Sequence, residues 1–352
     1  MSSPKMKTQR ILLQTALGNS QSRAPVWIMR QAGRYLESYR NLRKKYDFQT
    51  LYKNPELACQ VTLLPIHEIC VDGAILFSDI LVIPEAMGME LCFLEAMGPV
   101  FTQPLKKEQD ILNLPTEGVA EKLEYVYQTL RLVSRELKED ITLIGFSGAP
   151  WTLATYMVEG QGSKNFKKIK TLSYEHPEAL KKLLEKLTQV ISQYLIQQKE
   201  AGAHIVQLFD SWAGCLDEEG FLQFALPYVR EILKSAKKAN LPVIYFAKGA
   251  GGWLQHLKTL EADVIALDWT ISPRRARETL GFSQVLQGNL DPVALYAPIS
   301  VIEGKVKSLV KQFGKNWIAN LGHGILPTTP PEHAKVFVEA VKRESEKHFA
   351  QL

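Results

Sequence analysis

Residues 183–212 read LLEKLTQVISQYLIQQKEAGAHIVQLFDSW. Leu183, Leu184, Leu187, Val190, Ile191, Tyr194 and Leu195 recur at three- and four-residue intervals, which puts them on one face of a helix. Gly202 ends that helix. Ile205–Phe209 then forms a short run too apolar for a solvated face, as in a parallel strand covered on both sides. Asp210, Ser211 and Trp212 follow at once, so polar and aromatic side chains stand where the strand stops.

The same alternation extends in both directions. Candidate strands are Val26–Met29, Ala74–Phe77, Thr142–Gly145, Ile205–Phe209, Val243–Phe246, Val264–Leu267, Gln284–Leu286 and Trp317–Leu321, with helical periodicity between them. One helix runs from Ile302 to a capping Gly314, and another opens at Thr329-Pro330-Pro331. Asn54-Pro55 starts a further helix that Pro65 is expected to bend or split. Eight strand–helix units predict an α/β fold, a single (β/α)8 barrel over residues 1–352 with its active-site cleft at the carboxyl ends of the strands. An open doubly wound sheet is the weaker alternative, because no GxGxxG follows the first strand. Residues 84–114 are too long for a plain connection and predict an inserted hairpin or flap, with Met97-Gly98-Pro99 within it.

Composition narrows the function class. Hydrophobic residues make up 46% of the 352, enough for a sizeable core and against disorder. A formal charge of +5 suits a small anion as readily as nucleic acid, so it does not choose between them; the strand-end residues favour a small molecule, with no nucleic-acid or membrane partner. No stretch approaches the roughly 20 apolar residues of a membrane span, and Met1–Arg10 lacks a signal-type apolar core. The expectation is a cytoplasmic protein; a plastid protein with its transit peptide removed would read the same. Cys59, Cys70, Cys92 and Cys215 form no CxxC pair, against a zinc ribbon or disulfide framework, and read as reduced, mostly buried thiols.

In such a barrel the chemistry stands just after each strand. Arg30 and Arg34 lie four apart with Gly33 between, so a turn or helix start aims both guanidiniums one way and lets each grip a carboxylate; the bland alternative is a surface helix start with salt bridges. Asp79 would join them at the mouth, either as acceptor for an N–H donor or developing cation, or as a helix cap. His323 between Gly322 and Gly324 is hard to read as core, since glycine buries little and admits backbone or ligand. Tyr156 offers a phenol or pads the rim, and Ser211 is a hydroxyl donor or a helix cap. Asp210 and Asp268 serve equally well as internal salt-bridge partners. Lys248-Gly249-Ala250-Gly251-Gly252 reads as a tight glycine turn. The remaining histidines show no metal spacing.

Taken together, Pro25–Tyr35, Phe77-Ser78-Asp79-Ile80-Leu81, Gly145–Thr152, Phe209–Gly214, Gln287–Pro292 and Asn320–Gly324 closely resemble the uroporphyrinogen decarboxylase family, from about Arg10 to Ala340. The resemblance implies a homodimer of single-domain barrels that removes the carboxyl groups of four pyrrole acetate arms of uroporphyrinogen, giving coproporphyrinogen, with no metal or organic cofactor. By position, Arg30 and Arg34 would hold substrate carboxylates, with Gln31, Ala32 and Gly33 supplying the backbone between them. Asp79 would accept the pyrrole N–H groups; Tyr156, Ser211 and His323 would bind acetate or propionate; Phe48 would be a cavity wall. Asp79, Arg30 and Tyr156 are the catalytic candidates. Arginine is an implausible acid, so Arg30 would donate the first proton only if strongly perturbed or through water. Two alternatives stand beside this reading: a methyltransferase of related shape needing a thiolate–histidine zinc site, for which Cys215 is the only thiol after a strand end, and a non-catalytic porphyrin carrier that would need the arginines but not Asp79.

Overall fold

A computed structural model describes residues 10–94 and 98–352. The amino-terminal stretch before Arg10, and Met97 of the expected flap, lie outside the described residues. The strands are β1 (Gly73–Ile75), β2 (Leu91–Leu94), β3 (Gly98–Phe101), β4 (Thr142–Gly148), β5 (Ile205–Asp210), β6 (Val243–Ala247), β7 (Val264–Ala266), β8 (Val285–Leu290) and β9 (Trp317–Leu321). Seven form one parallel sheet in the order β1-β4-β5-β6-β7-β8-β9, and helices connect them. β2 and β3 pair antiparallel within residues 84–114, where an inserted hairpin was expected.

The expected first strand, Val26–Met29, does not form a ladder; only Val26 bridges, to Ala319. The segment nevertheless fills the gap between β9 and β1. Ala319 N–H donates to the Pro25 carbonyl at 2.8 Å, Trp27 N–H to the Ala319 carbonyl at 3.2 Å, and Asp72 N–H to the Val26 carbonyl at 2.8 Å. Side chains take the rest: Val26 N–H donates to Asp72 Oδ2, Ile28 N–H to Gln31 Oε1 and Met29 N–H to Asn320 Oδ1, at 2.9, 3.1 and 2.9 Å. These buried amides are satisfied without a regular partner strand, which is why an apolar run reads as a strand yet pairs as one only at a single point. The ring closes through this seam.

The barrel interior is packed. Trp27 Nε1 donates to Gln287 Oε1, and Gln287 Nε2 to Gln207 Oε1, each at 2.9 Å, a polar chain linking the seam, β8 and β5 across the centre. The periodic helix runs Pro177–Glu200, starting earlier than Leu183 because Ala179 and Leu180 continue its buried face. Gln198 on that face donates to the Phe146 carbonyl and accepts the Phe146 N–H, both at 2.9 Å, clamping the helix to β4. A Cβ on Gly145 would fall 2.3 Å from Gln198 Oε1, so the clamp requires glycine there.

Two expectations are corrected. Pro65 does not split its helix, which runs unbroken from Pro55 to Glu68. Proline there lacks one N–H, but the helix ends a turn later and its own carbonyl still accepts the Ile69 N–H at 3.1 Å. The thiols are free, but only Cys59 is buried; Cys70 is exposed and Cys92 and Cys215 are half-buried, because they fall on loops and an edge rather than on apolar helix faces.

Candidate active site

Arg30 closes the seam segment with its backbone at φ 62°, the left-handed region that most side chains avoid. This reversal turns the chain out of the barrel. Gly33 packs so tightly on it that an added Cβ would lie 2.8 Å from the Arg30 carbonyl oxygen. Gln31, placed by sequence between the arginines, is buried and spent on the fold: its N–H donates to the Ile28 carbonyl and its side-chain amide to the Gly73 carbonyl, both at 2.9 Å. The N–H groups of Ala32, Gly33 and Arg34 meet no acceptor among the described residues. Arg30 and Arg34 are both exposed.

The two glycines around His323 have separate purposes. A Cβ on Gly322 would fall 2.3 Å from the Trp269 backbone nitrogen, and one on Gly324 2.3 Å from Arg30 Cδ. The Arg30 side chain therefore lies directly across Gly324. Gly324→Ala is expected to leave the fold intact and lower substrate affinity by pushing Arg30 aside; Gly322→Ala, which collides with backbone, is expected to destabilise by a few kcal/mol. Thermal melts and KM of both variants check this, and equal melting points would refute it.

His323 Nδ1 accepts the Gly324 N–H at 2.5 Å, so the neutral ring carries its proton on Nε2. Burial, reinforced by Arg30 and Lys248, pulls its pKa down to about 4. Asp79, just after β1, is pushed the other way. Burial raises its carboxyl to about 6, against the Leu81 N–H that Oδ1 accepts at 2.8 Å and the charge of Arg30, and with Glu85 adding to the rise. Its second oxygen takes no protein hydrogen bond among the described residues. Tyr156, on the helix Pro150–Glu159, is kept protonated chiefly by burial and then by Asp79.

Arg30, Asp79, Tyr156 and His323 thus share one electrostatic neighbourhood at the carboxyl ends of the strands. Tyr156 leans on Trp212, ring centroids 5.9 Å apart, and Ser211 beside it lines an adjoining cavity. Phe48 stands further out, edge-on to Tyr52, Phe77 and Phe93 at 5.0–5.7 Å. It reaches the site through Phe77, two residues before Asp79.

Asp210 and Asp268 are structural, but not as the salt-bridge partners expected: among the described residues both accept hydrogen bonds from neutral groups instead. Asp210 is fully buried, accepting Thr152 Oγ1–H at 2.6 Å and the Tyr245 hydroxyl at 3.0 Å. Asp268 accepts the N–H groups of Gly249 and Thr270 at 2.5 and 2.7 Å. One residue at the mouth was missed: Lys248, read as part of a glycine turn, directly follows β6 at the carboxyl end of the sheet, where Asp210 and Asp268 also stand. That position was the available signal. Among the described residues no three His, Cys, Asp or Glu side chains group as metal ligands, and burial pushes the Cys215 thiol up to about 11, away from thiolate chemistry.

A carboxylate, an arginine and a neutral histidine thus stand together at the mouth of a parallel α/β barrel. The uroporphyrinogen decarboxylase (URO-D) family profile matches residues 7–344. Uroporphyrinogen decarboxylase from Salinibacter ruber is 47% identical over 95% of this chain and 95% of its own. The Chlorobaculum parvum protein of that name is 46% identical over 96% and 98%, and the Escherichia coli one 47% over 92% and 94%. Among solved structures, a methyltransferase from Methanosarcina mazei superposes with a TM-score of 0.82 at 20% identity, covering 96% of this chain and 99% of its own, which shows shared fold alone. The chain belongs to the uroporphyrinogen decarboxylase family.

Proposed function

We propose that residues 1–352 form one catalytic domain that decarboxylates uroporphyrinogen III to coproporphyrinogen III, releasing CO2 from each of four acetate arms. The family membership supports the reaction, a carboxy-lyase step in porphyrin biosynthesis. The observation that carries the site assignment is Asp79, a carboxylate pressed by its surroundings and left with one oxygen unpartnered beside Arg30.

Loss of CO2 from an acetate arm leaves an electron pair that needs a sink. Protonating the ring carbon beside the arm makes a cation, the carboxylate departs as CO2 and its bond pair neutralises the ring as an exocyclic methylene, a second proton completes the methyl group, and the first proton then leaves the ring carbon to restore the pyrrole. Asp79 accepts the pyrrole N–H groups and stabilises that cation. Arg30, Arg34 and the turn amides of Ala32 and Gly33 hold carboxylates, while Gln31 braces the turn that carries them. The Tyr156 hydroxyl, Ser211 and His323 Nε2–H donate to acetate or propionate oxygens, and Phe48 walls the cavity. No cofactor enters this scheme.

The exposed side chains of Trp269, Val293, Tyr296 and Ile299 support pairing into a homodimer through the apolar rim after β7 and β8. No described helix is long and apolar enough to cross a membrane, and the relatives are bacterial; both fit work in the cytoplasm. The test is anaerobic incubation of chelator-treated protein with uroporphyrinogen, following stepwise carboxyl loss by chromatography of the oxidised products. Turnover is expected. Binding without turnover would make the protein a carrier.

A further inference from the structure

Beside the Asp79 cleft lies a second cavity, of about 530 Å3, whose lining includes Lys164, Lys170, Ser211, Trp212, Cys215 and Lys248 and contains no carboxylate. We propose that this cavity is a carboxylate subsite, in which Lys164, Lys170 and Lys248 hold one side arm of the tetrapyrrole while another arm reacts at Asp79. The proposal rests on the decarboxylase reading of the cleft and adds to it a place for an arm that is not reacting.

Lys248 is built in rather than loosely exposed. Its N–H donates to the Asp210 carbonyl at 3.2 Å and its carbonyl accepts the Gly214 N–H at 2.8 Å. Gly214 and Gly249 approach so closely that a Cβ on either would lie 2.8 Å from the Cα of the other, which locks the loops after β5 and β6 together. The ammonium is held over two indoles, 5.9 Å from the Trp212 ring centroid and 5.8 Å from that of Trp269.

None of the three lysines has an ion-pair partner among the described residues. The nearest acid, Asp268, is occupied by Gly249 and Thr270. Burial, against the charge of Asp268 and with that of Arg30, pulls the Lys248 pKa down. Three like charges around one cavity repel each other, and a bound anion relieves that repulsion. The remaining polar atoms agree: Trp212 Nε1–H is buried without an acceptor, and the Ser211 hydroxyl stands next to it. A lining of donors and cations fits a carboxylate.

Trp212 makes the cavity an annex of the cleft. Its ring packs against Tyr156 at 5.9 Å and against Phe166 at 5.1 Å, so one indole borders both the phenol that senses Asp79 and the lysine-bearing loop. A substrate with many carboxylates has more anionic arms than the two arginines can hold.

Anaerobic steady-state kinetics of the full chain test this, with Lys170→Ala, Lys248→Ala and Lys248→Arg compared with the unaltered protein. For Lys248→Ala, KM for uroporphyrinogen is expected to rise about tenfold with kcat within about twofold, the signature of lost uniform binding. Lys248→Arg should recover most of the affinity, and added salt should shrink the difference. Tricarballylate, a small free tricarboxylate, should inhibit competitively and more weakly in the lysine variants. Unchanged KM in both alanine variants overturns the proposal. So does non-competitive inhibition by tricarballylate with KM unchanged, which would mark a site for free anions only. Failure of the unaltered protein to release CO2 would instead count against the decarboxylase reading.

Discussion

Asp79→Asn is expected to lower kcat for the first decarboxylation by about 10²–10³-fold, the usual cost of removing one preorganised electrostatic stabiliser, and at the same time to stabilise the fold at neutral pH. Both effects come from the same confinement. The amide oxygen can still accept the Leu81 N–H, so the local turn survives the change. The carboxylate is held at a folded pKa of about 6 against an ordinary 3.8, mainly by burial. A folded pKa above the unfolded value means that the native state binds more protons, so stability declines as pH rises between those two values. Below about pH 4 both states carry the proton and the cost disappears. The gap in stability between Asp79→Asn and the unaltered protein should therefore open from near zero at pH 4 to about 2–3 kcal/mol above pH 6. Denaturant titrations across that range measure it; a gap independent of pH would mean that Asp79 is not under this strain. Activity should rise with pH through an apparent pKa near 6, because the ionised carboxylate is the form that stabilises a ring cation.

The second large effect is at Arg30, where two substitutions separate backbone from side chain. Arg30→Ala and Arg30→Gly both remove the guanidinium and are expected to lower kcat/KM by about 100-fold, as when a charge-assisted contact to the substrate is lost. They should differ in stability. The φ of 62° suits glycine and not alanine, so Arg30→Gly should be more stable than Arg30→Ala by about 1 kcal/mol. Urea unfolding of the two variants measures the difference directly. Equal stabilities would mean that the turn relaxes once the arginine no longer lies across Gly324.

Much of this was legible in the residues, for identifiable reasons. Parallel strands covered on both faces must be apolar, so runs such as Thr142–Gly148 and Trp317–Leu321 announce themselves, and the residue after each strand is exposed to chemistry by topology alone. Where sequence reading failed, a long-range partner had taken over. Val26–Met29 looks like a strand, but its hydrogen bonds go largely to side chains of Asp72, Gln31 and Asn320, residues 46 to 291 positions away or folded back locally. Gln31 looked like part of the anion grip, yet its side chain braces β1. Lys248 was hidden by its glycine neighbours; only the meeting of Gly214 with Gly249 and the indoles on either side single it out.

The way the ring is completed has a consequence of its own. Seven staves of the barrel are joined by peptide groups, which no substitution except proline can delete. The eighth is joined by a few backbone bonds and by three amino-acid side chains, and each of the side-chain joints can be removed by a single codon change that leaves every backbone atom in place. Asp72, Gln31 and Asn320 therefore carry duties that elsewhere belong to the main chain. Because the segment they fasten runs straight into Arg30, a change at any of the three would loosen the barrel's last joint next to its anion grip.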